Sequence, residues 1–138
     1  MNFERAKQIV EFGDQYFLSL KGRPIPEEVK PIENIHVEGQ IDEWHTVKYD
    51  GCIASYYRVV PEKRNILSSL TLTSQKVQLP HGIHIGVRKS FILDLLGKPT
   101  NSSRDEITYE CGDSFSETVS FKFSKGVLSQ ISWYYEID

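Results

Sequence analysis

The sequence predicts an α+β fold, in which an antiparallel sheet carries helices packed on one face and leaves the opposite face to solvent. Two segments repeat apolar residues at helical spacing, and six shorter runs have the composition or alternation of strands. Glycine-containing turns join several of these runs, which favours hairpins and therefore antiparallel pairing.

Two helices are predicted. The first covers residues 3–20, and the glycine–proline run at 22–26 ends it. The second covers residues 87–96 and ends at Gly97 and Pro99, since glycine caps a helix and proline cannot continue one. The apolar face of the first helix comprises Phe3, Ala6, Ile9, Val10, Tyr16, Phe17 and Leu20.

Three strands are predicted after each helix. The acidic, proline-containing connection that follows the first helix extends to about residue 42. Asp50-Gly51 is typical of a two-residue type I′ hairpin, which requires positive φ at both positions. The predicted strands cover residues 44–49, 52–60, 66–73, 106–111, 117–123 and 127–136.

The last hairpin supplies the predicted core. A three-residue loop over 124–126 puts Gly126 in the left-handed conformation. With that loop, one face of the hairpin carries the phenylalanines of the preceding strand together with Val127, Ile131 and Trp133. We expect Phe121 and Trp133 to be buried neighbours beneath the helix at 87–96.

The order of helix and three strands occurs twice, which suggests a duplicated unit. Residues 67–72 and 128–133 form the third strand of each set and have similar sequences. We therefore predict a single globular domain over residues 1–138, with tandem halves at 1–75 and 76–138.

Composition excludes several classes of protein. The net charge of −3 has the wrong sign for a general nucleic-acid binder. No apolar stretch approaches the ~20 residues of a membrane helix, and charges interrupt the start of the chain where a signal peptide would be apolar. These observations predict a cytoplasmic protein. The negative charge of the chain is concentrated at residues 27–50, which contain seven acidic residues and two lysines.

The chemistry-bearing residues favour binding over catalysis. Cys52 and Cys111 are far apart in strand-like settings, as expected of buried free thiols. His81 and His84 lie in a Pro-Gly loop without further metal-ligand spacing, and no phosphate-binding glycine motif occurs. We predict no metal, no cofactor and no enzymatic activity, and expect function to be independent of the histidines and cysteines.

Residues 79–100 resemble the opening of a known family through Gly82, Gly86, Leu96, Gly97 and Pro99. The family comprises domains similar to β-lactamase inhibitor protein and the small outer-membrane assembly lipoproteins of the SmpA/OmlA type. The segment 119–133, with a glycine in its turn, resembles the family's last strands. The resemblance implies a non-catalytic protein-binding module that uses the open sheet face and its loops. Intracellular immunity proteins, which neutralise a toxin by occluding it, are compatible with this architecture.

The predicted function is inhibition of another protein, for which a basic toxin is the leading candidate. The alternatives are an assembly adaptor of the outer-membrane lipoprotein type, and a small ligand-binding domain or enzyme. Acidic residues speed association with a basic partner, and outward aromatic residues contribute interface energy. The predicted partner-binding residues are Glu38, Asp42, Glu43, Trp44, Lys122, Gln130 and Tyr134.

Overall fold

The computed structural model describes residues 1–20, 28–112 and 116–137, and within them the chain forms two α-helices, one short 3-10 helix (Pro80–Gly82) and eight strands. The predicted end of the first helix at 22–26 lies outside the described residues. The α-helices are α1 (Phe3–Ser19) and α2 (Lys89–Leu96). The strands are β1 (Glu28–Glu33), β2 (Ile41–Tyr49), β3 (Cys52–Val59), β4 (Arg64–Leu72), β5 (Asn101–Ser102), β6 (Glu106–Cys111), β7 (Glu117–Ser124) and β8 (Val127–Tyr135).

The strands form one antiparallel sheet in the order β1-β2-β3-β4-β8-β7-β6-β5, which confirms the α+β class. Helix plus four strands, rather than three, occurs in each half of the chain. The two strands that the sequence did not predict are the edges. β1 contains Pro31, which lacks a backbone N–H and is tolerated at an edge, and β5 has only two residues.

The Asp50-Gly51 hairpin is confirmed, but its turn type is not the predicted one. Tyr49 pairs with Cys52 across a two-residue loop. Gly51 has a φ of 71°, whereas Asp50 keeps a negative φ. A type I′ turn needs positive φ at both central positions. The glycine alone therefore supplies the unusual backbone conformation here.

The β7–β8 hairpin has a two-residue loop instead of three, because Ser124 pairs directly with Val127. Lys125 and Gly126 both take positive φ, 53° and 79°, so this is the turn with type I′ character. The next pair is Phe123 with Leu128, so Leu128 joins the buried face and Val127 is 38% exposed. A bulge in β8 follows, because Lys122 pairs with Gln130 and leaves Ser129 without a partner in the register.

Phe121 and Trp133 are both fully buried, as predicted. The helix over Trp133 is α1, however, and not the helix at 87–96. The indole Nε1 of Trp133 donates to the carbonyl of Ile9 at 2.9 Å, and Phe12 packs against the same ring. The sequence placed the wrong helix here because periodicity shows which face is apolar but not which strand it covers.

The second helix lies near the β6–β7 part of the sheet. Its residues Ile92 and Leu96 are fully buried, and Lys89 Nζ lies 5.9 Å from the centre of the Phe123 ring. The Tyr109 hydroxyl donates to the carbonyl of Gly97 at 2.7 Å. Gly97 caps the helix with a φ of 79°, as the sequence predicts.

Both cysteines are free and buried. Cys52 begins β3 and Cys111 ends β6, so they lie on different parts of the sheet. Burial raises the pKa of the Cys52 thiol to about 11, and burial also raises that of Cys111. Thiols in this state are poor nucleophiles. None of the described helices has the length and apolar composition needed to cross a membrane.

Candidate functional site

The face of the sheet opposite α1 carries the candidate site. Tyr56 packs on Phe17 of α1, with ring centres 5.4 Å apart, so the next residue, Tyr57, projects to the opposite face. We call this opposite side the open face. On it, Trp44, Tyr57 and Ile66 lie directly across from one another on three neighbouring strands. They form a row of large apolar side chains.

This row is the floor of a groove of about 380 Å³. We call it the Trp44 groove. Ile32 and the loop of residues 34–37 form one wall. Ile137, the last residue that the structure describes, also lines the groove. The lining residues are Ile32, Glu33, Asn34, Ile35, His36, Val37, Gln40, Trp44, Tyr57, Val59, Glu62, Arg64, Ile66 and Ile137.

The side chain of Asp42 connects the wall of the groove to its floor. Its carboxylate is fully buried and accepts hydrogen bonds from four groups. The Tyr57 hydroxyl donates at 2.6 Å, the Asn34 and Gln40 amides each at 2.9 Å, and the Val60 backbone N–H at 3.1 Å. One carboxylate thus joins both ends of the loop between β1 and β2 to the floor of the groove.

These donors keep Asp42 ionised. Burial by itself raises the pKa of this carboxyl, but the hydrogen bonds from Tyr57, Asn34, Gln40 and Val60 favour the charged form and lower the pKa to about 2. For Tyr57, burial and then the hydrogen bond to Asp42 raise the pKa to about 12. The tyrosine therefore stays protonated and remains a donor over the physiological range.

Asn34 shapes the loop that forms the wall. Its side-chain oxygen accepts from the backbone N–H of His36 at 2.8 Å and of Val37 at 3.0 Å, an Asx-type turn. The turn leaves Ile35 86% exposed and Val37 48% exposed beside the groove. Exposed large apolar side chains grouped next to an apolar groove are typical of a binding surface.

The predicted contact cluster consists of Asp42, Glu43 and Trp44. In the structure their side chains lie in three different surroundings. Trp44 is half-buried and lines the groove, but Asp42 is not the exposed charge that we expected, because four donors enclose it. The side chain of Glu43 also lies elsewhere. It contacts His45 Nε2 at 3.0 Å on the α1 side of β2. Glu38 is exposed on the loop near the groove.

The other three predicted residues lie on the open face, in the second half of the sheet. Lys122 and Gln130 pair across β7 and β8, and Tyr134 pairs with Ser69 of β4 and is 51% exposed. They are outside the groove. Small hydroxyl side chains occupy other parts of the open face, in hydrogen-bonded pairs across neighbouring strands: Thr46 with Ser55, Thr71 with Ser132, and Thr108 with Ser120.

Sequence reasoning missed most of the groove. Strand alternation could have found Tyr57, since its neighbour Tyr56 is the inward member of the pair. Ile66 follows in the same way from its position opposite Tyr57. Nothing local marks Ile35, Val37 or the distant Ile137 as neighbours of Trp44, because a loop and a terminal segment bring them there.

We expect the buried carboxylate to stabilise the protein in a pH-dependent manner. Because the pKa of Asp42 in the folded protein, about 2, lies below the ordinary value of 3.8, its contribution is complete above about pH 4 and is lost as the pH falls through about 2. Asp42→Asn should therefore unfold at lower urea concentration than wild type at pH 7. This difference should shrink as the pH falls below 4.

Urea unfolding from pH 7 to pH 2 measures this effect. Glu38→Gln, a charge removal on the exposed part of the same loop, is the matched control and should follow the wild-type profile. If the Asp42→Asn difference stayed constant down to pH 2, the carboxylate would not be held ionised by its four donors.

Comparison with protein-family models, curated proteins and solved structures found no match.

Proposed function

We propose that the chain is a non-catalytic protein-binding inhibitor of the immunity type, which neutralises a toxin or enzyme by occluding it. The observation that carries this proposal is the apolar Trp44 groove on the open face of the sheet. A central aromatic anchor site surrounded by polar surface is the usual anatomy of a protein interface.

The polar groups of the groove support binding rather than chemistry. The Tyr57 hydroxyl and the amides of Asn34 and Gln40 all donate to Asp42, and the Asn34 oxygen already accepts from the loop backbone. Catalysis needs acids, bases or donors directed at a substrate. Among the described residues no three His, Cys, Asp or Glu side chains converge in a way that could hold a metal ion.

The hydroxyl pairs on the rest of the open face also support this function. Thr71 and Ser132, for example, are hydrogen-bonded to each other across β4 and β8. A polar group that already has a partner costs little to remove from water. Each pair therefore leaves fewer unsatisfied polar groups when another protein covers the open face, and Tyr134 adds an amphipathic contact within it.

The finer parts of the proposal concern ancestry and location. We propose that the two halves, each a helix followed by four strands, are duplicated units with both helices on one face of the sheet. The arrangement of the strands about the β4–β8 pair supports this, as does the resemblance of residues 79–100 to domains similar to β-lactamase inhibitor protein. An immunity role favours a cytoplasmic location.

A small-ligand-binding domain is the second candidate, and one observation favours it. The groove volume of about 380 Å³ lies in the range of small-molecule pockets, about 300–1,000 Å³. Such pockets present a few free polar groups to orient their ligand. Here Tyr57, Asn34 and Gln40 are bonded to Asp42, and the free carboxylate of Glu33 is exposed at the rim, an arrangement that the protein-binding proposal accounts for better.

The test uses the products of the reading frames beside this gene. Each product is expressed from an inducible promoter with and without this chain, and growth is followed. We expect one product to arrest growth alone and to be neutralised by the wild-type chain. Titration calorimetry of that pair should then give a dissociation constant that Trp44→Ala raises at least about 30-fold, as for a hot-spot tryptophan.

The control is Leu18→Ala, which truncates an apolar side chain that is 65% exposed on α1, away from the open face. It should leave affinity unchanged. Unchanged affinity for Trp44→Ala would move the interface away from the groove. If no neighbouring product were toxic or bound, the immunity proposal would fail.

A further inference from the structure

The geometry points to the kind of partner segment that the Trp44 groove receives: one large apolar side chain flanked by lysine or arginine residues. This inference rests on the proposed protein-binding function and specifies its ligand. It follows from the size of the groove, from the charges at its mouth and from the apolar side chains beside it.

The floor of the groove fits an apolar side chain. Trp44, Tyr57 and Ile66 form a continuous apolar row, and the one hydroxyl among them is bonded to Asp42. A cavity of roughly 150 Å³ is large enough to hold benzene. A groove of about 380 Å³ therefore accommodates one aromatic ring together with the aliphatic stems of its neighbours.

The mouth of the groove carries negative charge that is not neutralised locally. Glu62 is paired with Arg64 at 3.4 Å, so this acid and this base at the rim balance each other. Within the described part of the chain, Glu33, which lines the groove, and Glu38, which lines the adjoining pocket on the same loop, have no ion-pair partner, and both are exposed. The two free carboxylates give this side of the groove an excess negative charge that attracts cations.

The exposed apolar side chains of the wall suit lysine and arginine in particular. These residues lay an aliphatic stem along an apolar surface while the charged end stays in water. Ile35, which is 86% exposed, lies between Glu33 and Glu38 in the chain. A flanking lysine can therefore place its stem on Ile35 and its ammonium group near either carboxylate.

A second copy of this chain fits the groove less well. In a two-fold symmetric dimer the same patch meets itself, so Glu33 and Glu38 of each copy would approach the acids of the other. Like charges brought together at an interface oppose association. The partner that complements the surface is therefore a basic one.

The two tryptophans of the chain allow a direct test by two-dimensional NMR of the indole N–H groups. Trp44 lines the groove, whereas Trp133 is buried on the other face with its N–H bonded to Ile9. The probe is the synthetic peptide Gly-Lys-Lys-Phe-Lys-Lys-Gly. It should shift the Trp44 indole signal in a saturable manner and leave the Trp133 signal in place.

Altered peptides and protein variants test each part of the inference. Replacing the phenylalanine of the peptide by alanine, or its lysines by glutamates, should abolish the shift of the Trp44 signal. The double variant Glu33→Gln/Glu38→Gln should bind the lysine peptide about fivefold more weakly at low salt, with a smaller difference at high salt. Glu106→Gln, an exposed charge removal on β6, is the matched control and should bind like wild type.

Three results would overturn the inference. The first is a glutamate peptide that shifts the Trp44 signal as strongly as the lysine peptide, and the second is a lysine peptide that does not shift it. The third is a Trp44 signal that moves with protein concentration alone, which would indicate a second copy. If Trp44→Ala still weakened binding of the neutralised toxin, the proposed function would stand and only the chemistry of the segment would be wrong.

Discussion

Trp133→Ala is expected to destabilise the protein by about 3–5 kcal/mol, the usual cost of truncating a large buried aromatic side chain. The ring of Trp133 is fully buried between the sheet and α1, and its N–H is bonded to Ile9. The substitution removes both the packing and this link. Urea unfolding followed by circular dichroism measures the free energy.

The other tryptophan is the control for this prediction. Trp44 is only half-buried on the open face, so Trp44→Ala should cost clearly less stability than Trp133→Ala. The stability loss of Trp133→Phe, which keeps a ring but loses the N–H, should lie between those of Trp44→Ala and Trp133→Ala. If the two alanine variants lost the same free energy of unfolding, the packing of α1 on Trp133 would not be what stabilises the protein.

Gly13→Val is expected to cost about 3 kcal/mol, and Gly13→Ala less, because both overfill a packed site. A β-carbon at Gly13 would lie 2.6 Å from two carbons of the Trp133 ring and would also meet the Tyr135 hydroxyl. In an exposed helix the change from glycine to alanine gains about 1 kcal/mol. Here the expected sign is reversed.

The same unfolding measurement tests this prediction. Gln15→Ala, at an exposed position on the same helix, should change stability little. A stabilising Gly13→Ala would show that α1 can move away from the sheet without loss, and that the close contact with Trp133 is not required.

Most of the fold follows from local sequence patterns. Both helices and the six inner strands are predicted within a few residues, since each buries an apolar face whose period can be counted. The edge strand β1 was missed because it has no buried face: all six of its residues are exposed. Its pairing with β2 depends on the backbone alone, and that leaves no alternation in the sequence.

The candidate site was predictable only in part. Trp44 lines the groove, and the sequence could single it out because it is an aromatic residue at the start of an alternating strand; its role in binding stays a prediction. Asp42 was misassigned because an acid in an acidic segment is usually exposed. Its burial depends on Tyr57 and Val60, which lie more than a dozen residues away in the chain. A hydrogen-bond network of this kind forms only when folding brings distant residues together. The sequence shows the residues but not the contacts between them.

The contact between α1 and β8 has a consequence for the order in which the protein can be completed during synthesis. Ile9 and Trp133 are 124 residues apart, so the ribosome makes the helix long before it makes the strand that the helix covers. Until then the helix can use its contacts with earlier strands, such as that of Phe17 with Tyr56, but it lacks the surface that Trp133 provides. The first half can pair its own strands early, but its helix reaches its final position only when β8 emerges.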